Sequence, residues 1–180
     1  MFRIGFSGTN WTGKTETIQR IVRERSELVI NTISLSSLVN RCPFPMIEEQ
    51  TVEGSKWMIE QVGAICSNNN GAIEIFDRTP LDILAFTLYA MDRTDVHNQV
   101  VLKDCLSLVQ HFDYLFYLPI SDEWPVNTSA SQSKIQFALR IDFYIRKAIE
   151  QFSLDVVSLP WGFIERGGKL SEYLSYIRIA

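Results

Sequence analysis

"FSGTNWTGKTE", residues 6–16, places Gly8 and Gly13 four intervening residues apart and follows the second with Lys14 and Thr15. This is G-x-x-x-x-G-K-[ST], and each position has a physical reason. Without a Cβ at the glycines, successive backbone N–H groups can curl around phosphate oxygens; the lysine neutralises the outer phosphates and the threonine hydroxyl can ligate Mg²⁺. The flanks suit the mechanism. Residues 2–6 read as an apolar strand, and residues 13–25 as a helix with Ile18, Ile21 and Val22 on its inner face. Such a helix turns its positive dipole end toward the loop. Gly8, Thr9, Asn10, Trp11, Thr12, Gly13, Lys14, Thr15 and Thr17 are therefore the expected nucleotide contacts.

Outward from this loop, short strand-like runs alternate with longer segments of helical period, the pattern of a parallel sheet covered by helices. Strands are expected at 28–33, 72–76, 114–119 and in "DVVSL", with helices at about 52–67, 80–91, 95–110, 134–152 and 168–177. "NNNG" marks a turn after the first of these helices, and "NRCPFPMIEEQ" an irregular segment before it. The expected fold is a three-layer α/β domain spanning residues 1–180, with a five-stranded parallel sheet. The polar stretch "SDEWPVNTSASQS", residues 121–133, is either a plain surface loop or part of a lid over about 120–147.

Composition narrows the chemistry. A net charge of −4 over 180 residues disfavours nucleic-acid binding by bulk electrostatics, so any phosphate binding is local. Three widely spaced cysteines and two histidines suggest neither a disulfide framework nor a zinc site. No apolar run approaches the roughly 18 residues of a membrane span, and nothing ahead of the glycine loop resembles a targeting segment. A reducing, cytoplasmic setting is expected.

"IEIFDRTPLD", residues 73–82, brings Asp77 and Arg78 to the C-terminal end of a strand, the edge that carries the ligand crevice in an open parallel sheet. Asp77 can hold magnesium with Thr15 or accept a proton from an attacking hydroxyl; Arg78 can clamp a substrate anion with its planar fork. "TPLD" is also a good helix start, with Thr79 as N-cap, Pro80 in the first turn and Asp82 reaching back. Asp113, at the start of its strand, lies at the wrong edge. Glu74 inside the strand calls for a paired core carboxylate or an edge position.

The glycine loop near the N-terminus, "FDRTPLDILAF", "YLFYLP", "RIDFYI" and "GFIERGGKLSEYL" together resemble the AAA_28-type P-loop kinases. These are similar to the ribosylnicotinamide kinase domain and, more distantly, to deoxynucleoside and thymidylate kinases. The resemblance covers nearly the whole chain and implies a P-loop NTPase fold with ATP at the loop, an acceptor over the strand ends and a closing lid. Such lids usually carry a basic residue, and residues 121–133 contain none. Suspicion moves to Lys134, Arg140 and Arg146 on the next helix. Arg140 is the expected catalytic cation, against a merely solvated role, while Arg146 can pair with Asp142.

On the helix over 52–67, Glu53, Trp57 and Gln61 share a stripe. By the same resemblance, Trp57 and Gln61 suit a nucleobase-like acceptor; the alternative is that Trp57 is core and Gln61 solvated. Glu48 and Glu49 are alternative general bases, with Glu49 the acceptor-side choice, because the end of the second strand supplies no carboxylate. The expected function is an ATP- and Mg²⁺-dependent kinase of a nucleoside, nucleotide or similar small hydroxylated metabolite, with Lys14, Asp77, Arg78 and Arg140 catalytic. A kinase of a hydroxyl on DNA or RNA and a non-catalytic ATP-sensing module are the alternatives. No motif specifies an oligomeric state, a homodimer included.

Overall fold

A computed structural model describes residues 2–68, 73–121, 124 and 130–175. Most of the "NNNG" turn and most of the 121–133 loop lie outside them. Five parallel strands form one sheet: β1 (Phe2–Ser7), β2 (Ile30–Ser34), β3 (Ile73–Asp77), β4 (Tyr114–Tyr117) and β5 (Val157–Ser158), in the order β2-β3-β1-β4-β5. Register pairs Phe6 with Asp77 on one side and Ser7 with Tyr117 on the other. The C-terminal ends of the central strands therefore share one edge, at Gly8, Arg78 and Leu118.

The helices are α1 (Lys14–Glu24), a short α2 (Ser36–Val39), α3 (Val52–Ser67), α4 (Pro80–Thr94), α5 (Gln99–Val109), α6 (Gln132–Gln151) and α7 (Phe163–Leu174). A 3-10 turn at Ile47–Glu49 precedes α3. On one sheet face, Ile18 and Ile21 of α1 and Leu170 and Leu174 of α7 pack with Ile4, Phe6, Ile75 and Phe116. On the other face Phe76 and Tyr117 join α3 to α6, with Leu84, Ala85, Leu88 and Met91 keeping α4 buried at the centre. The sheet and the helices on its two faces make the three layers of an α/β domain. Each fully buried side chain such as Phe6, Phe76 or Phe116 contributes on the order of 1.5–3 kcal/mol of hydrophobic stabilisation.

Several boundaries differ from the sequence reading. The last helix begins at Phe163 rather than 168, running through Gly167 and Gly168. Packing overrides their weak helix propensity, since the Arg20 guanidinium of α1 lies 4.6 Å from the Phe163 ring centre and the helix face behind it buries Leu170 and Leu174. The second strand starts at Ile30, two residues late, and the irregular segment contributes α2 and the 3-10 turn. Tyr89 Oη donates to the Glu48 carbonyl at 2.8 Å and Arg93 to the Gln50 carbonyl at 2.9 Å, which fastens that segment to α4.

Glu74 is a paired core carboxylate. Arg3 Nε donates to it at 2.7 Å, Arg3 Nη2 donates to the Cys66 carbonyl at 2.5 Å, and Asp113 accepts from the Arg3 backbone N–H at 2.7 Å. This cluster ties the edge of the sheet remote from the glycine loop. Among the described residues no helix is long and apolar enough to cross a membrane, and no group of three His, Cys, Asp or Glu side chains converges as a metal cage.

Candidate functional site

The glycine loop leaves β1 and enters α1 through two left-handed or extended positive-φ glycines, Gly8 at φ 144° and Gly13 at φ 82°. A Cβ on Gly8 would stand 2.7 Å from the Leu118 carbonyl oxygen, so the loop is pressed against the end of β4. Trp11 also adopts positive φ, at 62°, which is uncommon for a bulky residue and holds the curl of the loop. Its ring is exposed and lies 6.0 Å from that of the buried Trp124, whose indole N–H donates to the Asn10 carbonyl at 3.3 Å.

Lys14 is buried, its ammonium donating to the Gly8 and Thr9 carbonyls at 2.7 and 2.6 Å. Burial, reinforced by the neighbouring Arg78 charge, lowers its pKa to about 8. The lysine is therefore poised at the loop but under-compensated, a cation that an arriving anion would relieve. Thr12 closes the curl by donating to the Thr9 carbonyl at 3.0 Å. Thr17 donates to the Gly13 carbonyl at 2.7 Å.

Asp77 and Arg78 follow β3 onto the same edge. Thr15 Oγ1 donates to Asp77 Oδ2 at 2.6 Å, so the two candidate Mg²⁺ ligands from distant segments are already side by side. Arg78 takes φ 70° and directs its guanidinium back across the loop. Nη2 donates to Asn10 Oδ1 at 2.6 Å and Nε to Ser36 Oγ at 3.3 Å; Nη1 lies 3.5 Å from Asp82 Oδ1 yet makes no hydrogen bond.

"TPLD" forms its capping box: Leu81 N–H donates to Thr79 Oγ1 at 3.0 Å and Thr79 N–H to Asp82 Oδ2 at 2.8 Å. Asp82 also does more than cap. Its Oδ1 accepts the Gly8 backbone N–H at 3.2 Å, joining the start of α4 to the phosphate loop.

Two recesses meet here. One, of about 380 Å³, runs along the loop and is lined by Gly13, Lys14, Thr15, Glu16, Asp77 and Arg78, with Trp11 at its rim. The other, of about 270 Å³, lies between the 36–50 segment, α4 and α6, with Val39, Met46, Met58, Ile83, Phe86 and Phe137 among its walls. Asn10, Ser36 and Arg78 line both. Phe86 and Phe137 stand 6.1 Å apart between ring centres, offering aromatic edges to the second recess.

Other sequence-selected residues fall elsewhere. Trp57 is half-buried against the core cluster and Gln61 half-buried beside it; neither lines either recess, and α3 sends Met58 to the cavity instead. The stripe of Trp57 and Gln61 lies one position out of phase with Met58, the α3 residue that lines the cavity. Glu48 and Glu49 are exposed on the 3-10 turn and also outside the lining. Arg140 and Lys134 are exposed on α6, whose inner face gives the cavity Phe137, Ala138 and Ile141. Arg146 pairs with buried Asp142 at 3.1 Å, as its spacing suggests.

Three long-range contacts are not visible in the sequence. Arg166 of α7 is buried, donating to Thr17 Oγ1 at 3.0 Å and to the Pro160 and Trp161 carbonyls at 3.1 Å each. Its Nη1 lies 2.9 Å from where a Gly13 Cβ would be. Asp142 receives the Tyr117 hydroxyl at 2.5 Å and the Ile120 N–H at 3.3 Å, anchoring α6 to the end of β4. Trp124 covers Asn10. The partners are 149, 25 and 114 residues apart in sequence, which no local motif reveals.

No family model matches the chain, and no curated protein matches it. Solved structures do. Deoxyadenosine kinase from M. mycoides, determined with the products dCMP and dCDP, aligns with a TM-score of 0.65 at 14% identity over 98% of this chain and 100% of that one. Thymidylate kinase from Ehrlichia chaffeensis aligns at 0.66 with 12% identity, over 96% and 98%. The YorR protein of Bacillus subtilis, determined with phosphorylated GDP, aligns at 0.59 with 14% identity over 99% of each chain. At such identities the likeness establishes a shared fold, that of the P-loop nucleotide kinases.

Proposed function

We propose that the protein is an ATP- and Mg²⁺-dependent kinase that phosphorylates a hydroxyl of a nucleoside-like small molecule. The observation that carries this reading is the meeting of two recesses at Arg78, one built for phosphates and one walled by apolar and aromatic side chains. A phosphate-binding loop alone serves many purposes; a second, differently lined cavity opening on its outer end suits transfer between two bound molecules. Full-length structural neighbours that carry kinase names point the same way.

Residues 8–15 cradle the triphosphate with backbone N–H groups while Lys14 turns from the Gly8 and Thr9 carbonyls to the outer phosphates. Thr15 and Asp77 are hard oxygen ligands, the donor set that Mg²⁺ prefers alongside water and phosphate. Bound there, the ion supplies charge neutralisation to the phosphates. Arg78 spans the junction and stabilises the charge on the transferring group. The acceptor hydroxyl oxygen forms the new bond to the γ-phosphorus, the bond to the β–γ bridging oxygen breaks with its electron pair remaining on ADP, and the hydroxyl proton leaves to water.

Closure falls to α6, which contributes Phe137, Ala138 and Ile141 to the cavity and is anchored through Asp142. Arg140, exposed in this conformation, is available to a closed one. The test is incubation with ATP, Mg²⁺ and a panel of nucleosides and nucleotides, following phosphorylated products by mass spectrometry. Acceptor-independent ADP release with no product from the panel would count against the reading.

A further inference from the structure

Resting on that reading, we infer that the acceptor enters uncharged: a nucleoside rather than a nucleoside monophosphate. The charge inventory of the acceptor cavity carries the inference. Among the described residues lining it, Arg78 and Asp82 are the charged side chains, and they lie 3.5 Å apart as an ion pair. Asp82 is buried and further committed to the Gly8 and Thr79 N–H groups. The lining therefore has no net charge. Its remaining polar members, such as Asn10, Ser36 and Asn40, are neutral, and the greater part of the wall is apolar.

A phosphate monoester brings between one and two negative charges into this space. Desolvating it there is costly unless cations and hydrogen bonds replace its water, and anion sites of this kind are built from several cations or bidentate arginines. Among the described residues, only Arg78 lines the cavity with a positive charge. Two of its three nitrogens are already engaged, by Asn10 and Ser36. Lys14 stands on the loop side and is committed to the donor's phosphates. The segment that follows β4, residues 119–133, contains no Lys or Arg.

A neutral acceptor fits each of these features. Arg78 Nη1 is buried and without a hydrogen-bond partner, so its N–H groups can meet a neutral sugar oxygen, while its charge is already balanced by Asp82 at 3.5 Å. Phe86, Phe137 and Met58 supply apolar surface to a planar base. The one negative charge transferred in the reaction arrives already held by the loop, not by the cavity.

The experiment is calorimetric titration of the wild-type chain, its loop first saturated with a non-hydrolysable ATP analogue and Mg²⁺, using matched pairs of nucleosides and their 5′-monophosphates. A nucleoside is expected to bind at least about tenfold more tightly than its monophosphate, with affinity nearly constant between about 50 and 500 mM NaCl. Monophosphates binding equally or more tightly would overturn the inference, and so would the failure of every nucleoside to bind. Asn40→Arg, at an exposed position on the rim, is expected to raise monophosphate affinity several-fold without improving nucleoside affinity. Nucleosides that bind but are never phosphorylated would sink the kinase reading and leave the cavity assignment standing; a monophosphate turned over in preference would do the reverse.

Discussion

Thr15 Oγ1 and Asp77 Oδ2 lie 2.6 Å apart although 62 residues separate them in sequence. Thr15 opens α1 and Asp77 closes β3, so the contact exists only because β1 and β3 are parallel neighbours with Phe6 opposite Asp77. If this pair shares a magnesium ion, Asp77→Asn keeps the shape and the hydrogen bond but removes a formal charge. The expected result is a fall of about 10–100-fold in Mg²⁺ affinity or kcat, with ATP-analogue binding in EDTA unaltered. Full activity and unaltered Mg²⁺ dependence in this variant would remove Asp77 from the metal site.

Lys14 provides a pH test. Its folded-state pKa of about 8 lies below the ordinary lysine value of 10.5, because burial, and then Arg78, disfavours its charge. Between those two values the unfolded chain binds more protons than the folded one, so this group makes stability of the nucleotide-free protein rise with pH through that window. Below about 8 both states are protonated and this contribution is flat. Phosphates bound beside the ammonium favour its charged form, so ATP binding above pH 8 is expected to take up protons. Calorimetry in buffers of different ionisation enthalpy reads that uptake directly. Lys14→Ala should lose it and lower turnover about 10²-fold or more.

At Arg78 the backbone and the side chain can be separated. Its φ of 70° is left-handed, a conformation that costs a non-glycine residue about 1–2 kcal/mol. Arg78→Gly and Arg78→Ala both delete the guanidinium, and both are expected to lower kcat/KM by about 10²-fold or more. The glycine variant should nevertheless unfold at higher temperature than the alanine variant, by about 1 kcal/mol of stability. Equal melting temperatures would deny the strain, and retained activity would deny Arg78 its place at the junction.

Much of this was readable in the sequence, and what was readable shares a cause. The glycine loop, the Asp77–Arg78 pair, the "TPLD" cap and the Arg146–Asp142 pair are local: their geometry follows from spacing along one strand, turn or helix. The sheet was legible for the same reason, since alternating strand and helix periods leave few ways to pack. The acceptor cavity was not. Its wall is assembled from the 36–50 segment, α4 and α6, and the side of α3 that reaches it is set by packing against α4 and α5, which turns Met58 inward and leaves Trp57 and Gln61 off the lining. The last helix starts at Phe163 rather than at 168 because Arg20 of α1, far away in sequence, packs over Phe163 and beside Gly167.

Arg166 illustrates the nonlocal class. Its three hydrogen bonds join α7 and the turn after β5 to Thr17, one turn behind the phosphate loop. Arg166→Ala leaves the buried Thr17 hydroxyl and two half-buried carbonyls without this donor and is expected to destabilise the fold by about 2–4 kcal/mol. Arg166→Lys, which keeps the charge but not the planar fork, should recover only part of that loss in a urea melt. A change within about 0.5 kcal/mol for the alanine variant would show that the fastening is dispensable.

Phosphoryl transfer itself is tested most directly by incubating the wild-type chain with γ-labelled ATP, Mg²⁺ and a panel of nucleosides, and identifying the labelled products. The expected result is label on the hydroxyl of at least one nucleoside, lost with Lys14→Ala and stoichiometric with ADP. Tight ATP binding accompanied by no labelled acceptor would contradict it, leaving a nucleotide-binding chain that does not transfer phosphate.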